Sequence, residues 1–385
     1  MKNMLAHAGV AAPHTGQPFS EALCFGIAGG IAAGYSFCPS IPGYDIGSGV
    51  SIVGRYHLFT TNGEFTRGFF ERVGARPQVH ETSGVKGAYK ALVEALEGGK
   101  PGIVWSSPLP VAPAVWAGCV GMYATVVFGV DETKGVAYIS DRAPGPLTLP
   151  LDQLEAARNK VCSHRNRLLT FDPPATLNVA RLKAAVSEGI RLCAADFQKP
   201  KLKTYNLPGF FDWAKLITND KNARGWLRIF PDGRIYMALR DTFDSIETAG
   251  TGGAGFRPMY AEFLDEAAAI TKRKALAELA GRYREIAKMW TALAESMLPD
   301  AMKPLRRTKE LLRMRSELFL SKGAVALPQI DKIKDDLNRI ELEMREGFPL
   351  AEAELKDLLE AARERILALH DAESSAAGEL AKAAA

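Results

Sequence analysis

A thiol becomes a nucleophile when its surroundings lower its pKa, so the five cysteines, Cys24, Cys38, Cys119, Cys162 and Cys193, are the first residues to weigh. They are odd in number and widely spaced, with no C-x-x-C pair. That pattern predicts neither a disulfide framework nor a zinc knuckle and points to a reducing cytoplasm. Cys24 stands out by position, near the start of a helix that Ser20 can cap and Glu21 can open, where the helix dipole lowers a thiol's pKa. A small core residue in an apolar helix is the competing reading. Asp141 ends the run YISDRAPG, where a carboxylate can orient a histidine on a neighbouring strand or start the turn at Ala143-Pro144-Gly145. Arg257 and Tyr260, at a helix N-terminus beside a Gly-rich loop, have the chemistry to hold an anion such as a phosphopantetheine phosphate, although packing and capping use the same residues.

Other groupings carry less. His7 and His14 are seven apart with Pro13 between them, and neither an H-E-x-x-H motif nor a carboxylate cluster accompanies them, so no metal site is predicted. The glycines of Gly26-Ile27-Ala28-Gly29-Gly30 and of Gly250 to Gly255 lack the strand and acidic residue of a dinucleotide fingerprint and the Gly-Lys-Ser/Thr of a phosphate loop. No cofactor is predicted. A displaced pair of Cys24 with His57 or His80 is a further candidate.

The elements that must position these residues change character along the chain. Residues 1–175 mix short apolar runs with Gly and Pro and read as an α+β module; 176–250 is a connecting region; 251–385 is almost wholly helical. Small residues in FGIAGGIAAGYSF predict an internal helix that packs closely on its neighbours. Helical spacing marks Phe65 to Val73, Lys86 to Glu97, Leu149 to Asn159 and Leu177 to Ala194. Strands are predicted at GIVWSS, at Tyr123 to Val130 and at Val136 to Ser140, the last two forming a hairpin through Asp131-Glu132-Thr133-Lys134-Gly135, with an edge strand at Arg165 to Phe171. The stretch NLPGFFDWAKL reads as irregular. Pro258 fits the first turn of a helix, helical pattern runs on to about Ala372, and the tail ESSAAGELAKAAA is expected to fray.

The 385 residues carry 48 Lys+Arg against 44 Asp+Glu and are 47% hydrophobic, an ordinary globular composition long enough to bury a core without staples. A net charge of +4, spread along the chain, supplies too little positive field for nucleic acid to be a partner. The least charged run, Ala22 to Pro39, is short and rich in Gly and Ala, so no membrane span and no secretion signal are predicted.

Four segments together resemble the butirosin biosynthesis protein H (BtrH) family: SEALCFGIAGGIAAGYSF at Ser20 to Phe37, the GKPGIVW strand, YATVVFGVDETKGVAYISDRA, and LDQLEAAR at Leu151 to Arg158. GFRPMYAEFLDEAA at Gly255 to Ala268, with Trp290 downstream, is similar to the helical domain that follows the module in that family. The resemblance implies a papain-like α+β module and a mostly α-helical C-terminal domain. It implies a Cys/His pair that moves an acyl group from a carrier-protein thioester to an amine. Carried over residue by residue, Asp141 matches the family's strand-ending aspartate. Tyr123 stands where a histidine opens the strand H-x-V-V-V-x-G, and the His-Cys pair that precedes the first helix has no counterpart after Met1. The expectation is a homologue with an altered catalytic pair, its candidate residues Asp141, Tyr123 and Cys24, its substrate contacts Ser20, Glu21, Arg257 and Tyr260. An acyl or peptidyl carrier protein, or a small amine or peptide, would be its partner. Two alternatives stand beside it: an active transferase using Cys24 or a cysteine upstream of a misplaced start, and an interaction protein that homodimerises through its helical half.

Overall fold

The computed structural model describes residues 1–38, 47–55, 64–107, 109, 123–160, 165–200, 203, 206–249 and 252–384. The chain opens with α1 (Lys2–His7), the two-residue strands β1 (Ala11–Ala12) and β2 (Gln17–Pro18), and α2 (Glu21–Ala28). Ser20 starts α2 as predicted, its Oγ accepting the Leu23 N–H at 2.9 Å. The helix is shorter than the small-residue run. Gly29 and Gly30 take φ of +130° and +68°, which ends it and turns the chain into β3 (Gly34–Phe37), paired antiparallel with β4 (Val50–Val53).

After α3 (Glu64–Arg72) come β5 (Arg76–His80), α4 (Val85–Glu97), β6 (Gly102–Ser106), β7 (Tyr123–Asp131), β8 (Val136–Ser140), β9 (Leu147–Pro150), α5 (Leu151–Asn159) and β10 (Leu168–Asp172). The six strands form one antiparallel sheet in the order β5-β10-β6-β7-β8-β9. Every residue of β6 is buried, and α4 and α5 pack against it. The β7–β8 hairpin is as predicted. Two expectations are corrected. Leu149 belongs to β9, so the helix begins at Leu151; and β10 is an interior strand, because β5, hidden in the sequence by Pro77 and the lack of alternation, pairs on its outer side.

The remainder is helical: α6 (Val179–Gln198), α7 (Pro208–Ile217), α8 (Trp226–Ile229), α9 (Ile235–Glu247), α10 (Arg257–Thr271), α11 (Lys274–Met297), α12 (Lys303–Lys322), α13 (Leu327–Glu346) and α14 (Glu352–Ala384). NLPGFFDWAKL contains α7, with Pro208 in its first turn, rather than an irregular stretch. Residues 206–249 pack into the core: Tyr35 of β3 stacks on Trp213 at 5.6 Å and accepts the Trp226 Nε1–H at 2.9 Å, while Asp241 accepts both the N–H and the hydroxyl of Ser48 at 2.7 Å. The C-terminal tail does not fray. Ala376, Ala377 and Leu380 are buried as α14 continues along α11, whose neighbourhood rewards small side chains.

The two halves interlock through α2. A Cβ on Gly26 would fall inside the Phe263 ring of α10, one on Gly30 would meet the Tyr260 ring, and one on Gly189 of α6 would strike the Gly26 carbonyl. Gly189→Ala is therefore expected to destabilise the protein by about 1–3 kcal/mol, since its obstacle is backbone. Gly281→Ala, at an α11 position where a Cβ meets nothing, is expected to stabilise it by about 0.5–1 kcal/mol. Calorimetry of the two variants should show melting temperatures displaced in opposite directions.

Candidate functional site

The hairpin turn brings the start of β7 beside the end of β8, and that places Tyr123 against Asp141 although they are 18 residues apart. The Tyr123 hydroxyl donates to Asp141 Oδ2, and Asp141 Oδ1 accepts the Arg142 N–H at 2.8 Å. Both side chains are half-buried. α1 closes on the same end of the sheet, where Asn3 Nδ2 donates to the Ser140 hydroxyl at 2.8 Å. The arrangement is a phenol held by a carboxylate at a strand end, where an imidazole held by a carboxylate would serve as a base. A phenol, with a reference pKa of about 10, is a weak proton acceptor near neutrality, so the pair offers a hydrogen-bond donor beside a carboxylate rather than a base of imidazole strength.

Cys24 does not join this pair. It is 2% exposed, deep in the α2 face that meets the core. Burial pushes its pKa up to about 12, against an opposing pull from the Met1 amine. Burial works against the expected activation by the helix dipole, because a thiolate there would lie in apolar surroundings. Among the described residues, the charged groups acting on Cys24 include the Met1 amine, Glu21, Glu266 and Lys2. His80 is exposed at the end of the outer strand β5. His57, Cys119, Cys162 and residues 250–251 of the Gly-rich loop lie outside the described residues.

Ser20 is drawn into a different cluster. Besides capping α2, its hydroxyl donates to Glu266 Oε2 of α10 at 2.6 Å, and Glu266 Oε1 lies 3.1 Å from His14 Nε2. Ser20 and His14 are about 250 residues from Glu266 in sequence, and nothing in the sequence signals the contact. Glu21 is exposed in the first turn of α2.

Arg257 and Tyr260 are internal instead of lining an anion site. Arg257 is fully buried, its Nε 2.7 Å from Glu373 Oε1 and its Nη1 2.6 Å from the Gly255 carbonyl. Trp290 Nε1 donates to the same Glu373 oxygen at 2.7 Å, and the guanidinium lies over the Trp290 ring at 4.9 Å. Tyr260 is equally buried, edge-on to Tyr283, its pKa raised well above the ordinary phenol value by burial. A phosphate could reach neither without opening the helical core. Among the described residues no three His, Cys, Asp or Glu side chains form a metal-binding group, and no helix is long and apolar enough to cross a membrane.

Burial makes a reactivity prediction. Cys24 and Cys193, whose thiol is likewise raised to about 12 by burial, should resist iodoacetamide at pH 7.5 in the folded protein and react after denaturation in guanidinium. Peptide mass spectrometry checks this, and modification of Cys24 in the native state would restore it as a candidate nucleophile.

No curated protein matches the chain at a significant level. Two family models do. Residues 151–318, from α5 to α12, match the domain of unknown function DUF4872, and residues 1–142, ending just past Asp141, match the model described as Butirosin biosynthesis protein H, N-terminal. The chain thus carries a BtrH-type N-terminal module over residues 1–142, followed by a separate DUF4872 domain over residues 151–318.

Proposed function

We propose that this chain keeps a papain-like acyltransferase frame but uses it to bind rather than to transfer, holding an acyl group carried on a carrier protein or the amine or peptide that would receive it. The observation that carries the reading is the Tyr123–Asp141 hydrogen bond at the strand ends. Transfer of an acyl group from a thioester through an enzyme thiol needs a base that takes the thiol's proton near pH 7 and returns a proton to the leaving thiol. The Tyr123 hydroxyl donates to Asp141, and a phenol, with a reference pKa of about 10, is poorly matched to that shuttle. The same two groups suit recognition: the carboxylate can accept hydrogen bonds from an ammonium, and the phenol can rotate to meet a carbonyl.

An active enzyme using Cys24 is the weaker reading, because the thiol is buried in α2 and its pKa is raised to about 12. The six-stranded antiparallel sheet of the N-terminal module is compatible with a papain-like frame, and the predominance of helices from α6 onward fits the expected second domain.

The test is to incubate the 1–385 protein with an S-acyl pantetheine thioester and an aminoglycoside amine, following free pantetheine and acylated amine by chromatography. The expected outcome is no amide above the uncatalysed background, together with saturable thioester binding in calorimetry. Tyr123→Phe should weaken that binding about 2- to 10-fold, the range of one hydrogen bond. Amide formation that disappears in Asp141→Ala would overturn the binding reading in favour of catalysis.

A further inference from the structure

We infer that the outer face of α12 is the docking surface for the protein partner of the Tyr123–Asp141 site, and that it receives an acidic amphipathic helix; this deepens the proposed function and rests on it. α12 buries Leu305, Thr308, Leu311, Leu312, Leu318 and Phe319 on one side. At the complementary spacing it exposes Lys303, Arg306, Arg307 and Arg313, against only Glu310 and Glu317. Lys309 and Arg315 are not part of this surface, since they are turned inward onto Glu295, Asp300 and Asp244. Arg307 and Arg313 each keep one carboxylate neighbour, Glu310 and Glu295, while Lys303 and Arg306 form no ion pair among the described residues.

Beyond the cations the same face becomes apolar. Met314 and Leu320 are exposed, and Val325, in the turn after the helix, is 84% exposed. Single exposed apolar side chains need no explanation, but three along one helix and the turn after it, interleaved with exposed charged and polar side chains, can supply the apolar anchors of a recognition surface. From Lys303 to Leu320 the stripe runs about 25 Å, at 1.5 Å per residue, the length of a partner helix of some four to five turns.

The C-terminal end of α12 packs, through its buried side, on the loop that follows Asp141. The Arg142 guanidinium lies 5.9 Å from the Phe319 ring. Gly323 sits so close to Ala143 and Pro144 that a Cβ there would be 3.2 Å from one and 3.3 Å from the other. A helix laid on α12, acids against the cations and apolar residues against Leu320 and Val325, ends at the turn Gly323–Ala326, which packs on Ala143 and Pro144 of the loop after Asp141. The charge pattern selects an acidic partner and steers its approach, while the apolar tip sets where it stops.

The experiment uses the full chain and a fluorescein-labelled, phosphopantetheinylated acyl carrier protein with acidic helices, followed by fluorescence anisotropy at 50 and 300 mM NaCl. Saturable binding that weakens with salt is expected. Lys303→Glu/Arg306→Glu and, separately, Val325→Asp should each lower affinity at least tenfold, with Lys332→Glu on α13 as an unaffected control; all these positions are exposed, so unchanged melting temperatures verify folding. Equal binding by wild type and stripe variants would overturn the assignment. So would an absence of carrier-protein binding while S-acyl pantetheine still binds in the Tyr123-dependent way, an outcome that leaves the proposed function standing; loss of both ligands overturns both. Self-association in sedimentation velocity that the stripe variants abolish would reassign the face to a second copy of this chain and overturn the partner proposed here.

Discussion

The close approach of α2 to α6 and α10 is the constraint on which the rest of the molecule depends. Gly26 and Gly189 bring two helix backbones together where any side chain would collide, and Phe263 fills the space that Gly26 leaves. Phe25, one residue earlier, stacks on Phe256 at 5.1 Å, so the same helix also grips the residue that caps the start of α10. Because α2 belongs to the N-terminal module and α6 and α10 to the domain after it, the interface between the two is as tightly packed as a protein interior. Rigid apposition of this kind lets α12, more than 150 residues downstream of Asp141, hold a fixed position against the loop that follows it.

Buried polar contacts add direction to that apolar packing. Arg257, Glu373 and Trp290 tie α10, α14 and α11 together around one carboxylate oxygen, and Asp241 ties the turn before β4 to α9. Replacing such a pair by apolar groups can be neutral, but losing one partner leaves a charge in the interior at a cost of about 3–5 kcal/mol. The arrangement therefore tolerates few alternatives: a helix that rotates or slides breaks a hydrogen bond that water cannot replace. Asp241 shows the tension, since burial raises its pKa while the Arg240 guanidinium and the Ser48 donors pull it down.

At the strand ends the chemistry follows from which groups the fold leaves half-buried. Tyr123 and Asp141 are accessible enough to meet a ligand and close enough to satisfy one another in its absence. Cys24 has the opposite setting, a polarisable group used as a small apolar one. Position near a helix start lowers a thiol's pKa, but where the surrounding volume is filled with side chains the desolvation of a thiolate works against it.

Much of this was legible in the residues alone. The Ser20 cap, the β7–β8 hairpin, Pro258 in the first turn of a helix and the helical second half follow from local rules, because capping, turn chemistry and periodicity act over a few residues. The family resemblance was legible as well, since order and spacing of motifs survive in the sequence. What failed to show locally depended on partners distant in sequence. β5 is a strand because β10 lies beside it, the last turns of α14 are ordered because α11 receives their small side chains, and Arg257 meets Glu373 rather than an anion because three helices converge on it. Local residue patterns account for most of the helices and strands and single out Tyr123 and Asp141; the packing of distant segments sets burial, and burial decides whether a thiol ionises, an arginine is free and a helix face is a surface, since each is a matter of access to water.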